Sequence, residues 1–294
     1  MLPPYLDEAD VDAFITRALE EDVADGDVTT LATIPEGRRA RATLIAKEGG
    51  VLAGALVAER VFARLAPEAV FRWNAVDGDT VGLGDRVLEL EASARGVLTA
   101  ERTALNFLQR MSGIATATRR MVEAVHPHRA QVLDTRKTAP GLRRLDKWAV
   151  AIGGGANHRI GLFDMILIKE NHIAAAGGIE SAIEAAREWI SGKSSLSIEI
   201  EVRTLDELRE VLRVGGAEVV LLDNMVRRAA TGWDASLLAE AVDFVGGRYK
   251  TEASGNVTLD SIPVIAATGV DYISSGALTH SVQALDVSLI VELD

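Results

Sequence analysis

From Gln131 onward the chain repeats one unit, a short run rich in Val, Ile and Leu followed by a segment with helical spacing. The runs are QVLDT (131–135), FDMILIK (163–169), LSIEIEV (196–202), AEVVLLD (217–223), RYKTEAS (248–254) and VDYISSG (270–276), and the intervening helices centre on Leu145, Ile183, Leu208, Leu238 and Ile262. Strands separated by helices pair in parallel, because an antiparallel neighbour needs only a tight turn whereas a parallel one needs a crossover. An α/β barrel and a doubly wound sheet both satisfy this pattern. The barrel is expected here, because nearly every run ends in polar or glycine-rich residues. Barrels gather their sites at the carboxyl ends of all strands, whereas a doubly wound sheet concentrates its site at one switch point.

The preceding stretch has a different grammar. Val11, Phe14, Ile15, Ala18 and Leu19 recur at helical spacing behind Asp7 and Asp10, either of which suits a cap. EDVADGDVTT lacks the ligand spacing and closing glutamate of an EF-hand, so it reads as a capped turn. Strands are expected over 41–47, 70–75 and 87–91 and a helix over 55–65, which makes a small α+β domain. A long helix is expected to start at Thr99 as N-cap, with Glu101 in its first turn and Leu105, Leu108, Met111 and Ala115 as its buried stripe. Arg102 then opposes the helix dipole; it is either a solvated side chain or a cation facing the same anion as the helix end. Residues 1–112 form the expected first domain, joined by the tail 281–294 with its run VSLIVEL, and residues 113–280 form the barrel.

Composition limits the partners. A net charge of -12 and a pI near 5.0 argue against a nucleic-acid or anionic-membrane surface, so any basic cluster is a local pocket. Cysteine is absent, which removes disulfides, thiolate metal sites and cysteine nucleophiles together. The start MLPPYLDEADVDAF lacks the basic and apolar regions of a secretory signal, and no apolar run approaches the roughly 18 residues of a membrane span. A cytoplasmic protein is expected.

The chemistry gathers at the run ends. Arg136 and Lys137 follow the first barrel run, His158 and Arg159 precede the second on a glycine-rich loop, and Lys169 ends it. Guanidinium groups grip carboxylates through paired hydrogen bonds and ammonium groups act as point charges, so the mixture suits a dicarboxylate or a phosphate. Arg143, Arg144 and Lys147 sit on a helix with Leu142, Leu145 and Trp148 and read as its solvated face. Glu199 and Glu201 share one strand face and Asp223 ends the next strand; inward carboxylates need a cation, a metal or a ribose hydroxyl. The plainer alternative is that one of these glutamates pairs with a neighbouring lysine or arginine, for which Glu199 is the candidate. With no thiol and no H-E-x-x-H, zinc gives way to Mg²⁺. Ser254-Gly255-Asn256 and Ser274-Ser275-Gly276-Ala277 stand where barrels hold phosphate. Gly153-Gly154-Gly155 follows a helix and lacks dinucleotide spacing, and the sequon Asn256-Val257-Thr258 has no secretory signal with it. Lys169 also invites a Schiff-base aldolase reading, for which anion binding is the simpler account.

Taken together, DTRKT, GGGANHRIGLFDMILIKENH, IEIEV, LLDN, EASGN and ISSGALTH resemble quinolinate phosphoribosyltransferase, with EDVADGDVTT and LTAERTALNFLQRMSGIATAT extending the likeness over almost the whole chain. The resemblance implies an N-terminal α/β sandwich followed by an incomplete parallel α/β barrel of fewer than eight strands. It implies a reaction of quinolinate with phosphoribosyl pyrophosphate and Mg²⁺, giving nicotinate mononucleotide, pyrophosphate and carbon dioxide in de novo NAD synthesis. It implies that Arg136, His158, Arg159 and Lys169 hold the quinolinate carboxylates, with Thr135 in the same substrate-binding set. Lys137 lies beside the reacting centre, and Glu201 and Asp223 serve the ribose and, directly or through the donor, the metal. Ser254, Gly255, Asn256, Ser275, Gly276 and Ala277 bind phosphate, and Arg102 is supplied across a homodimer interface. Two positions depart from the family pattern: Asn256 stands where a second glycine is often seen, and Arg203 where an acidic residue is frequent. A phosphoribosyltransferase for another heteroaromatic acid and a catalytically silent binding relative are the rival readings.

Overall fold

The computed structural model describes residues 2–192 and 196–293, and forms two compact units, Met1–Arg119 with Ala139–Gly154 and Ser281–Asp294, and Arg120–Thr138 with Gly155–His280. In the first, a four-stranded antiparallel sheet runs in the order Val287–Leu293, Arg39–Ala46, Arg86–Ser93, Val70–Trp73. Alternation in Arg39–Ala46 buries Ala40, Ala42, Leu44 and Ala46 on one face. Helix Glu8–Asp22 turns Val11, Ile15 and Leu19 inward and packs on helix Ala55–Leu65, which buries Val57, Val61 and Phe62. Asp7 and Asp10 cap the first helix reciprocally. Asp27 accepts from Thr30 N–H at 3.0 Å to cap Val28–Thr33, so the acidic stretch is capping chemistry as expected.

The long helix is Ala94–Val125, and it corrects the expected start at Thr99. Strand Arg86–Ser93 runs straight into it, and Ser93 Oγ accepts from Gly96 N–H at 3.2 Å, the bond an N-cap makes. Gly96 is there for space, since a Cβ would stand 2.7 Å from Ala66 Cβ and 2.8 Å from Leu65 O. Thr99 instead donates to Asp27, Glu101 is not in the first turn, and Arg102 lies in the third, beyond the reach of the dipole argument. Leu105, Leu108, Met111 and Ala115 are buried as expected.

Helix Arg143–Ile152 carries a second correction. Leu145 and Trp148 are buried, but so are Asp146 and Lys147, which are fully enclosed. Asp146 accepts two bonds from Arg110 at 2.8 Å each and one from Ala139 N–H at 3.1 Å. What looked like a solvated basic face is partly a buried ionic one. Arg144 reaches Asp10.

The second unit is a six-stranded parallel sheet. Its strands in chain order are Gln131–Leu133, Ile166–Ile168, Ile198–Val202, Val219–Asp223, Lys250–Ser254 and Tyr272–Ser274. In space the first lies beside the sixth, then the fifth, fourth, third and second. That order is circular with one break, between the first and second strands, and no reversal of direction occurs as it would in a doubly wound sheet. The third strand is buried at all of its positions. Two short helices not expected from the sequence, Glu170–Ala176 and Ala277–His280, follow the second and sixth strands directly.

Candidate active site

Because all six strands are parallel, their carboxyl ends meet at one rim, and the strand order fixes the order of side chains around it. Strands six and five bring Ser275-Gly276-Ala277 and Ser254-Gly255-Asn256; strands four and three bring Asp223 and Glu201; strand two brings Lys169, and strand one brings Thr135, Arg136 and Lys137. His158 and Arg159 come from the loop that spans the break. The rim thus has a hydroxyl-and-glycine sector, a carboxylate sector and a cationic sector. A cavity of about 1070 Å³ opens there, at the large end of the ~300–1,000 Å³ usual for small-molecule sites. Every sequence-predicted site residue except Glu201 and Arg102 lines it.

In the cationic sector, Asp134 is fully buried and accepts from Asn157 Nδ2 at 2.6 Å and His158 N–H at 2.9 Å, which ties the loop to the end of the first strand. Arg159 Nη1 donates to Met165 O at 3.2 Å. Burial, and after it the like charge of Arg136, lowers the Arg159 pKa, so these two guanidinium groups are held close without mutual relief. Arg136 Nε is a buried donor with no partner. Such a group is costly unless a ligand oxygen takes it.

Below the rim lies a group that the residue pattern did not predict. His158 Nδ1 accepts from Arg159 N–H at 2.8 Å, so the ring proton is on Nε2, which donates to Glu199 Oε2 at 2.9 Å and lies 3.5 Å from Glu252 Oε2. Glu199 and Glu252 are 1% and 2% exposed, and each has one carboxylate oxygen without a partner. Burial pushes Glu199 up to about 7, against the pull of Arg159 and Lys169. Burial, then the charge of Glu199, pushes Glu252 up to about 8. One proton shared between the two carboxylates gives both a partner. His158, Glu199 and Glu252 each bring a ligand atom within 4.8 Å of the others, and an ion there would have to displace the proton on Nε2. Glu199 therefore meets His158, beside Glu252, in place of the plainer lysine or arginine ion pair. The signal was available for Glu252, an inward carboxylate on the same strand face as Ser254.

The carboxylates paired with cations are those above. Lys169 Nζ lies 3.2 Å from Glu201 Oε2. Arg203 Nη2 lies 3.7 Å from Glu201 Oε1, its Nε lies 3.4 Å from Asp223 Oδ2, and its outer edge pairs with Glu170. Glu201 and Asp223 are oxygen donors on neighbouring strands, the ligand type that Mg²⁺ takes, so the residues present fit that ion.

The third sector is shaped by backbone. Gly255 has φ +101°, and a Cβ there would stand 2.2 Å from Asn224 Oδ1. Asn224 and Asn256 hold φ of 57° and 51°, left-handed values that asparagine tolerates best among residues with a side chain, so Asn256 preserves the turn where the family often has glycine. Gly276 lies under Lys137: a Cβ would meet Lys137 Cδ at 2.8 Å and His280 Cδ2 at 2.9 Å. Thr279 Oγ1 donates to Lys137 O at 2.8 Å. The Ser275 hydroxyl is turned to Val257 O at 3.2 Å. Asn224, Trp233, Thr258 and His280 also line the cavity and were not singled out from sequence. Arg102 is exposed on the long helix and is not among the lining residues.

The fold and rim define an α/β-barrel protein whose site meets a polyanion and a hydroxyl-bearing group together. Known proteins narrow this class. The model for the quinolinate phosphoribosyl transferase C-terminal domain matches residues 114–290, and that for its N-terminal domain matches residues 27–112. "Quinolinate phosphoribosyltransferase [decarboxylating] 1b" of Nicotiana tabacum is 48% identical over 300 residues, covering 99% of this chain and 85% of that one. The probable nicotinate-nucleotide pyrophosphorylase [carboxylating] of Bacillus subtilis is 42% identical over 273 residues, covering 93% of this chain and 90% of that one. The nicotinate-nucleotide pyrophosphorylase structure from Francisella tularensis superposes with a TM-score of 0.89 at 40% identity, covering 98% of both chains. This chain belongs to the quinolinate phosphoribosyltransferase family.

Proposed function

We propose that this chain transfers the phosphoribosyl group of phosphoribosyl pyrophosphate to quinolinate with decarboxylation, giving nicotinate mononucleotide, pyrophosphate and carbon dioxide. The observation that carries this reading is the order of the rim, in which cations flank the break, two carboxylates stand on the next two strands, and glycine turns close the circle. Arg136, Arg159 and Lys169 take the two quinolinate carboxylates, the unpartnered Arg136 Nε among their donors. His158 shapes that wall while both its nitrogens serve protein partners. Ser254, Gly255, Asn256, Gly276 and Ala277 receive the ribose phosphate, and Glu201 and Asp223 face the ribose.

Held in this way, the pyridine nitrogen bonds to the anomeric carbon as the bond to pyrophosphate breaks. Glu201 and Asp223 stabilise the positive charge that develops on the sugar, and Lys137 stabilises the departing oxygen. Bound Mg²⁺ would supply further neutralisation of the pyrophosphate. The alkylated ring then accepts the electron pair left when the adjacent carboxylate departs as carbon dioxide, and that carbon takes up a proton. Nicotinate lacks one carboxylate and leaves the half-buried Arg136 and Arg159 short of an anion, a penalty of roughly 1–3 kcal/mol.

We also propose a homodimer in which each copy lends Arg102 to the other's site. That role accounts for an exposed arginine on a helix whose opposite stripe is core. The test of the reaction is one assay with purified protein, quinolinate, phosphoribosyl pyrophosphate and Mg²⁺, followed for mononucleotide and carbon dioxide. Equal turnover of quinolinate and nicotinate, or no release of pyrophosphate with either, overturns the proposal.

A further inference from the structure

The carboxylates expected to serve the sugar and the metal already face a cation of the chain's own. Arg203 follows the third barrel strand immediately, and its guanidinium stands 3.7 Å from Glu201 and 3.4 Å from Asp223. Its outer edge is tied to Glu170 in the first turn of helix Glu170–Ala176. Lys169 occupies the other oxygen of Glu201 at 3.2 Å. Glu201 is nearly buried, at 8% side-chain exposure, whereas Arg203 is at 47% and reaches it from the solvent side. The two carboxylates thus present to solvent a face already covered by a half-exposed positive charge.

We propose that Arg203 is an internal counter-cation that closes the Glu201 and Asp223 pair to a free divalent ion and yields when the ion arrives with its phosphate-bearing ligand. The inference rests on the assignment of the donor to this rim. Two like charges cannot share the same carboxylate oxygens at 3–4 Å without strong repulsion, so a bare ion must displace the guanidinium and forfeit its ion pairs. An ion delivered with pyrophosphate brings excess negative charge, and the displaced guanidinium then gains phosphate oxygens as new partners. Binding of the metal becomes conditional on the donor. An acidic side chain at this position would have the opposite effect, adding a ligand for the bare ion.

The test is direct binding of Mn²⁺, followed by its electron paramagnetic resonance signal, to the full-length protein without either substrate. Arg203→Gln removes the charge and keeps polarity; it is expected to bind Mn²⁺ about tenfold more tightly than the unaltered protein, while Arg203→Lys stays near the unaltered value. Adding phosphoribosyl pyrophosphate should tighten Mn²⁺ binding far more in the unaltered protein than in Arg203→Gln. Equal Mn²⁺ affinity in the unaltered protein and Arg203→Gln, including equal failure to bind, overturns the counter-cation. Quinolinate turnover by the unaltered protein tests the underlying assignment separately. Tightened Mn²⁺ binding in Arg203→Gln without such turnover keeps the counter-cation and removes the donor.

Discussion

His158 Nε2 meets Glu199 Oε2 at 2.9 Å while its Nδ1 accepts from Arg159 N–H, so the orientation of the imidazole at the cavity wall is set from beneath. The same ring lies 3.5 Å from Glu252 Oε2, and burial raises the pKa of both glutamates. Their folded-state pKa values, about 7 and about 8, lie above the ordinary 4.5, so between those limits the native chain binds more protons than the unfolded one. The contribution of this pair to stability is therefore full below pH 4.5 and is lost as pH rises toward 8. Glu252→Gln should flatten that fall, read as melting temperature across the same pH range. An unchanged slope would mean that the pair does not share a proton.

Arg159 is positioned to bear directly on the choice of ring acid. Arg159→Ala should raise the apparent KM for quinolinate by about a hundredfold and leave that for phosphoribosyl pyrophosphate within about twofold, because the lost grip is on one substrate alone. Steady-state kinetics with each substrate varied in turn checks it.

Gly255 has room for no side chain. Gly255→Ala forces a Cβ to within 2.2 Å of Asn224 Oδ1 at φ +101°, so the turn must move at a cost of roughly 1–2 kcal/mol for the backbone alone. The expected result is the reverse kinetic split, with the phosphoribosyl pyrophosphate KM raised by about tenfold or more and quinolinate binding retained.

The proposed exchange of Arg102 between copies predicts complementation. Arg102→Ala and Lys137→Ala should each be nearly inactive alone. After mixing and subunit exchange, half the dimers are hybrid and each hybrid has one intact site, so about a quarter of full activity returns. Recovery of none would place Arg102 outside the site.

Asp146 is a stability determinant away from the chemistry. Asp146→Ala leaves Arg110 without its two 2.8 Å bonds, and should cost about 3 kcal/mol in urea unfolding, the low end for a broken buried pair since Arg110 keeps some contact with water.

The alternation after Gln131 made a parallel α/β sheet legible, and the polar or glycine-rich end on nearly every run favoured the barrel over a doubly wound sheet. The residues at those ends were legible for the same reason. Glu252 was not singled out: it lies amid Lys250, Thr251 and Ser254 in a polar strand, and only burial against Glu199 separates it from a solvated glutamate. The solvated reading of Lys147 failed because the helix repeat gives a direction and not what fills it. The start at Thr99 failed because a threonine suits an N-cap wherever it stands, whereas the cap bond is made by Ser93 at the end of the preceding strand.

The break in the barrel leaves two strands each with an unshared side. Those strands, Gln131–Leu133 and Ile166–Ile168, are three residues long, against five for the third, fourth and fifth. An exposed row of amides that short gives an incoming peptide too little to add onto, and Leu133 already bridges to Ala156. A cylinder can stay unsealed in this way without seeding fibrils.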